Sequence, residues 1–222
     1  MHKANTDNDL EKRQPGRPRD VDGLSKRSEA ILDVAVQVFA KRGFAATDVQ
    51  EIADHAGVGK GTIYRHFESK ERLFLAAAEL GVQKLQAAID GAAEPAAEPL
   101  SQIRSAITAF LIFFDEHPEF IELVIQERAH FRDRATPTFF LCDTNDPKAE
   151  RWQEMLRELI RRGVLRPLPI DQIMDTLTQA CFGAIFVNYF GGRKKTLAQQ
   201  AQELKDIVFH GILAPNTRET HS

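Results

Sequence analysis

Five hydrogen-bond donors crowd into seven residues at Lys60-Gly-Thr-Ile-Tyr-Arg-His66, where only Gly61 and Ile63 interrupt Lys60, Thr62, Tyr64, Arg65 and His66. Such groups suit nucleic acid: hydroxyls and cations hold phosphate oxygens, and a lysine or arginine also donates to guanine O6 and N7. The surrounding apolar residues repeat at helical spacing. If residues 48–56 and 60–67 are two short helices, Ile52, Ala53, Val58, Ile63 and Phe67 share one inward face and the donors remain outside. A tight turn containing Gly57 joins them, which is the pattern of a helix-turn-helix whose second helix enters a DNA major groove. The competing reading is a plain helical hairpin with solvated charges.

The elements that must position this motif are also legible. Residues 1–24 are polar, carry Gln14-Pro-Gly-Arg-Pro-Arg19, and read as a flexible tail. From Ser25 or Ser28 a helical stripe of Ile31, Leu32, Ala35, Val38 and Phe39 runs to Lys41-Arg42-Gly43. Thr47 followed by Gln50 predicts a capping box for the first short helix. Ser69 predicts the cap of a longer helix that reaches about residue 89 with Leu73, Phe74, Ala77, Leu80, Val82 and Leu85 inward. Gly91-Ala-Ala-Glu-Pro-Ala-Ala-Glu-Pro99 is the clearest break. Beyond it, helices are expected over about 100–116, 118–133, 148–163, 170–190 and 196–213, with a Thr/Pro/Asp-rich stretch at 135–147. Nothing reads as a repeat or a strand-rich region. The class is all-α, with an N-terminal three-helix helix-turn-helix domain at 25–75, a linking helix to about 90, a larger helical domain at 91–214 and a short tail at 215–222.

At these residues the chain resembles the tetracycline-repressor (TetR) family of bacterial transcriptional regulators. The match runs from about Ser28 to Phe74, through F-A-K-R-G-F, T-x-x-x-I-A-x-x-A-G-V and K-G-T-I-Y-R-H-F-E-S-K-E-R-L-F. The resemblance implies a homodimer that binds double-stranded DNA at a two-fold operator and takes a small-molecule effector in its C-terminal domain. Carried over by position, it implies base contacts from Lys60, Gly61, Thr62 and Arg65, and phosphate contacts from Thr47, Tyr64, His66 and Lys70. Gln50 matches a position that reads a base in some members; its other reading is the capping box. Gly59 stands where Ser is common, so a hydroxyl contact to DNA is lost. Arg17 and Arg19 are a candidate minor-groove arm, with a tail that binds nothing specific as the alternative.

Residues 100–213 hold eleven Phe. Most read as core, yet aromatic-lined cavities between helices also suit apolar ligands with a few polar anchors. Phe110, Phe114, Phe131, Trp152, Met155, Phe182 and Phe186 are candidate walls. In the run Gln126-Glu-Arg-Ala-His-Phe-Arg-Asp-Arg134, Glu127, His130 and Arg134 fall at helical spacing. Either this is a solvated ion-pair face, or Arg128 or His130 anchors an acidic ligand group. Two apolar stripes, Ile173, Leu177, Cys181, Ala184 and Ile185 on one helix and Leu204, Val208 and Ile212 on the last, fit the paired helices of the family's dimer. Burial within one subunit competes for about half of those positions.

Charge and cysteine use narrow the classes further. The net charge of −3 comes from 29 basic and 32 acidic residues, of which residues 1–75 hold 13 and 12. The basic balance therefore sits in the N-terminal third. Cys142 and Cys181 are too few for a disulfide framework and read as buried thiols. No His/carboxylate pattern specifies a metal, and neither a catalytic residue nor a cofactor is expected. The chain lacks an apolar run near the ~18 residues of a membrane span, and residues 1–20 lack a signal-peptide core, so a cytoplasmic protein without membrane contact is expected. The expected function is a ligand-responsive DNA-binding regulator, a repressor released by an apolar or amphipathic effector. The rivals are a helical enzyme using His130 and Glu127, and a dimerisation adaptor without DNA binding.

Overall fold

The computed structural model describes residues 21–94, 97–134, 137–139, 147–192 and 195–212. Arg17, Arg19, Cys142 and the 215–222 tail lie outside the described residues, as does the side chain of Ile212. Among the described residues every regular element is an α-helix: α1 (Val21–Arg42), α2 (Val49–His55), α3 (Lys60–Phe67), α4 (Lys70–Ala92), α5 (Pro99–Glu116), α6 (Glu119–His130), α7 (Pro147–Arg161), α8 (Ile170–Phe190) and α9 (Leu197–Ile212). The fold is all-α, as the periodicity predicts.

Helix boundaries follow local chemistry. The Ser69 hydroxyl accepts from Arg72 N and caps α4, while Pro99 opens α5 at a position where a missing N–H costs nothing. Two expectations fail. The cap of α2 is Asp48, whose Oδ1 accepts from Gln50 N at 2.9 Å; the Thr47 hydroxyl instead donates to Gly43 O at 2.8 Å, so no capping box forms. A carboxylate placed one residue later outcompetes the hydroxyl for the free N–H groups. Helix α6 ends at His130, with Phe131 as its C-cap, so Arg134 lies beyond the helical face inferred from spacing.

Packing divides the work between two sides. Helix α1 lies along α4 and α6, and α2 and α3 close over α1 and the start of α4. The core there is Ile31, Ala35, Phe39, Ile52, Ala53, Ile63, Leu73 and Phe74, each at most 1% exposed. Beyond the α4–α5 connector, α5 is the central rod: it contacts α4, α7, α8 and α9. Phe114 and Phe120 are 1% exposed at its end and interlock with Phe113 and Phe139. At roughly 25 cal/mol per Å² of apolar area removed from water, these rings contribute heavily to the larger half of the core.

Candidate nucleic-acid interface and effector cavity

Helix α3 is held by its inner face. Ile63 is 1% and Phe67 9% exposed, packed with Ile52 and Ala53 of α2. The turn between the helices needs a left-handed residue and has it in Gly57, at φ +64°. Val58 N then donates back to Ala53 O at 3.0 Å, which fixes the angle of α3. The opposite face carries the expected donors. Gly61, Tyr64 and Arg65 are exposed, and Lys60 and Thr62 half-buried.

Several of these donors are already engaged. Lys60 Nζ donates to Asp48 Oδ1 at 2.9 Å, the oxygen that caps α2. The cap hydrogen bond and then the Lys60 ammonium hold the Asp48 carboxyl below its ordinary value, and the same pairing raises Lys60. Both are charged at neutral pH, and the pair is lost as pH falls through the lowered Asp48 value. Lys60 keeps two ammonium protons, so a base contact shares the ammonium with Asp48. Gln50 Nε2 donates to Asp54 Oδ1 at 2.7 Å, along α2. Lys70 Nζ donates to Ala45 O at 3.1 Å and sits 5.0 Å over the Phe44 ring, which leaves two ammonium protons for other partners.

Two phosphate assignments do not fit the geometry. Thr47 is 3% exposed, and both its N–H and its hydroxyl donate to Gly43 O, so it has no donor left. His66 is half-buried with Nε2 enclosed and unpartnered, so this atom is not on the outer face.

A cavity of about 220 Å³ lies between α4, α5, α7 and α8. Its walls include Val82, Ile89, Ile103, Ile107, Phe110, Trp152 and Leu177, with Gln86, Thr138, Thr178 and Cys181 as the polar or polarisable groups. Among the described residues no lining residue is charged. Of the candidate walls, Phe110 and Trp152 line this cavity and the others do not. Phe114 is core. Phe182 stacks edge-on behind Phe110 at 5.5 Å, Phe186 stacks on Phe182, and Met155 packs against the core away from the cavity. Arg128 and His130 are exposed, and Phe131 packs on Phe44 and Phe74. Because α6 packs along α1 and α4, Arg128 and His130 in its last turn lie outside the cavity lining. The polar groups Gln86, Thr138 and Thr178 escape a search for charged anchors; only the spacing of Val82, Gln86 and Ile89 hints at a shared face.

The expected dimer stripe also needs correction. Ile173, Cys181 and Ile185 are 3%, 5% and 1% exposed within one subunit, and Leu177 and Cys181 line the cavity. Ala184, Leu204 and Val208 are half-buried. The outward apolar residues are others: Val187 at 74%, Phe190 at 72% and Ile207 at 76% exposure.

Residues 31–77 match the family of bacterial regulatory proteins, tetR family. Over 190 residues the chain is 29% identical to the HTH-type transcriptional repressor KstR2 of Mycobacterium tuberculosis, covering 85% of this chain and 93% of that protein. The solved structure of the ketosteroid transcriptional regulator KstR2 of that organism superposes with a TM-score of 0.63 at 27% identity, covering 84% and 95% of the two chains. A second structure, solved in work on control of antibiotic production by bacterial hormones, shares the fold with a TM-score of 0.70 at 22% identity over 85% and 98%. The outer donors of α3, the anchored inner face and the match across the whole motif agree: residues 31–77 form a DNA-binding domain of the tetR family, and the chain is a DNA-binding transcriptional regulator.

Proposed function

We propose that the protein is a homodimeric, cytoplasmic, non-enzymatic repressor whose operator binding is released by an uncharged apolar or amphipathic effector. The observation that carries the effector half is the cavity between α4, α5, α7 and α8, apolar except for uncharged hydrogen-bonding groups and the Cys181 thiol. Among the described residues an acidic ligand would meet no cation there, so the acid-anchoring role of Arg128 and His130 is set aside. No helix among the described residues is long and apolar enough to cross a membrane, and a DNA ligand suits a cytoplasmic location. The DNA-binding unit is assigned to 25–75 and the effector and dimerisation unit to 91–214; the packing of α2 and α3 over α1, and of α7, α8 and α9 on α5, supports this reading, with α6 packing back on α1.

On the DNA side, Arg65, Lys60, Gly61 and Thr62 face bases, with Gln50 at the edge, while Tyr64 and Lys70 hold phosphates. Arg65 is exposed on α3 and suits a bidentate contact to guanine. Arg65→Ala is expected to cost about 1–3 kcal/mol and to relax base preference, whereas Lys70→Ala weakens all sequences alike and lowers the salt slope by about 1. Titration of both variants against an operator selected from a random pool and a scrambled duplex checks this; an Arg65 variant with unchanged specificity refutes it.

On the effector side, neutral polycyclic and naphthyl compounds, a ketosteroid among them, should raise the melting temperature. A ligand at a hundred times its Kd adds ~2.7 kcal/mol, or about 5–10 °C for a chain of this size. The same compounds should weaken operator binding roughly 5–150-fold. If sugars or divalent metals shift the melting curve and the apolar set does not, the cavity reading is wrong.

A further inference from the structure

Neighbouring residues in the last turn of α6 are bonded in two directions. Gln126 reaches the helix-turn-helix side, where its Nε2 donates to Phe39 O at 3.0 Å and its Oε1 accepts from Phe44 N at 2.7 Å. Both partners are main-chain groups at the end of α1 and the start of the turn towards α2, so Gln126 grips backbone rather than a rotatable side chain. Phe131 packs on Phe44 and Phe74 at the same junction, with ring centroids 5.1 and 5.5 Å away. Glu127 reaches the other way. It is 1% exposed, and its Oε1 accepts from Thr138 N at 2.9 Å and from Thr138 Oγ1 at 2.8 Å. Thr138 lines the effector cavity. A second partner waits beside the same oxygen: Arg134 Nη1 lies 3.6 Å away, enclosed and without a hydrogen bond.

We propose that Thr138 senses the effector, that Glu127 exchanges between Thr138 and Arg134, and that Gln126 is the positioning residue carrying this exchange to the helix-turn-helix. The proposal rests on the cavity being the effector site, and it names the ligand class as an uncharged molecule with a carbonyl or ether oxygen placed against Thr138. A threonine hydroxyl has one hydrogen to donate. Given to a ligand oxygen, it leaves Glu127 one donor short in a site closed to water, where an under-satisfied carboxylate is costly. Arg134 supplies the replacement, because closing 3.6 Å to hydrogen-bond distance satisfies both groups at once. The two arrangements are discrete, and the ligand favours the second because only there is the Thr138 hydroxyl free. Glu127 and Gln126 share one helical turn, so a shift of the first moves the second against Phe39 and Phe44.

The test uses the uncharged fluorescent naphthyl ketone prodan, whose emission reports hydrogen bonding to its carbonyl, together with the operator selected from a random pool. Wild-type protein should bind prodan and lose at least about fivefold in operator affinity. Thr138→Val should blue-shift bound prodan and, without any ligand, weaken operator binding by a similar factor. Gln126→Glu keeps the acceptor for Phe44 N and removes the donor to Phe39 O, which still accepts from Gly43 N. In that background prodan affinity should be unchanged, and neither prodan nor Thr138→Val should alter operator affinity by more than about twofold. Melting curves confirm that each variant is folded. Undiminished release in Gln126→Glu, or a folded Thr138→Val protein with wild-type operator affinity, overturns the proposal. If prodan does not enter wild-type protein, the cavity reading falls, and the ligand-free cycle of the two substitutions still decides the coupling.

Discussion

Val187→Arg is expected to convert a micromolar dimer into a monomer that still folds. The large apolar side chains left exposed on α8 and α9 among the described residues are Val187, Phe190 and Ile207, each more than 70% open to solvent. Three such residues on two adjoining helices are more than scattered surface hydrophobes, and a second copy of the chain is the partner that suits a two-fold operator. Val187 lies on a line with Ala180, Gly183 and Phe190 at helical spacing, so small residues beside it allow close helix approach. In the monomer an exposed Arg at this position costs within about 0.5 kcal/mol. In the dimer it buries an unpaired charge, at several kcal/mol. Sedimentation should therefore show monomer with an unchanged α-helical spectrum, and operator affinity should fall by about two orders of magnitude or more, at ~1.4 kcal/mol per tenfold. Ala184→Arg is the poorer probe, since Ala184 already packs against its own subunit and its loss would mix misfolding with dissociation. A wild-type protein that sediments as monomer, or an arginine variant that stays dimeric, refutes this interface.

The contrast between Ile185 and Val187 shows where sequence reasoning ends. Helix α8 is apolar over most of its circumference, so periodicity finds a stripe but not which stripe meets the subunit's own core. Ile173, Cys181 and Ile185 turn inward because α5, α7 and α9 lie against α8 on that side, a tertiary fact. The helix-turn-helix is legible for the opposite reason. Ile52, Ala53, Ile63 and Phe67 find one another within twenty residues, and the turn between them needs only the left-handed Gly57. The misread cap is a local matter as well: Thr47 and Asp48 compete for it one residue apart, and the carboxylate that wins also reaches Lys60 across the turn. The cavity requires four helices to be placed. Charge alone points to Arg128 and His130 as its anchors, whereas the groups that reach it, Gln86, Thr138 and Thr178, are uncharged and lie on α4, the 137–139 segment and α8.

Two glycines in α4 should respond with opposite signs. A Cβ built at Gly81 falls 2.4 and 2.5 Å from ring atoms of Phe120 and 2.7 Å from Phe139. These rings cannot swing aside: Phe120 is 1% exposed and stacked on Phe113, and Phe139 is 2% exposed against Phe114. Gly81→Val adds a Cβ and two methyls to that space. Its gain in helix propensity is about a few tenths of a kcal/mol, while overpacking a closed core costs ~3 kcal/mol or more, so destabilisation wins. The melting temperature should drop by about 6–12 °C. At Gly91, also helical, a Cβ meets nothing within 4 Å and φ is ordinary. Gly91→Ala should therefore stabilise, by at most ~1 kcal/mol and less so near the helix end. Gly81 has a functional consequence too, because Phe139 adjoins Thr138 in the cavity wall. By displacing Phe139, Gly81→Val should weaken prodan binding in the fraction that remains folded, whereas Gly91→Ala should leave it unchanged. Calorimetry and a prodan titration on the two variants decide the matter; equal melting temperatures for Gly81→Val and wild type would show that α4 and α6 do not approach through this glycine.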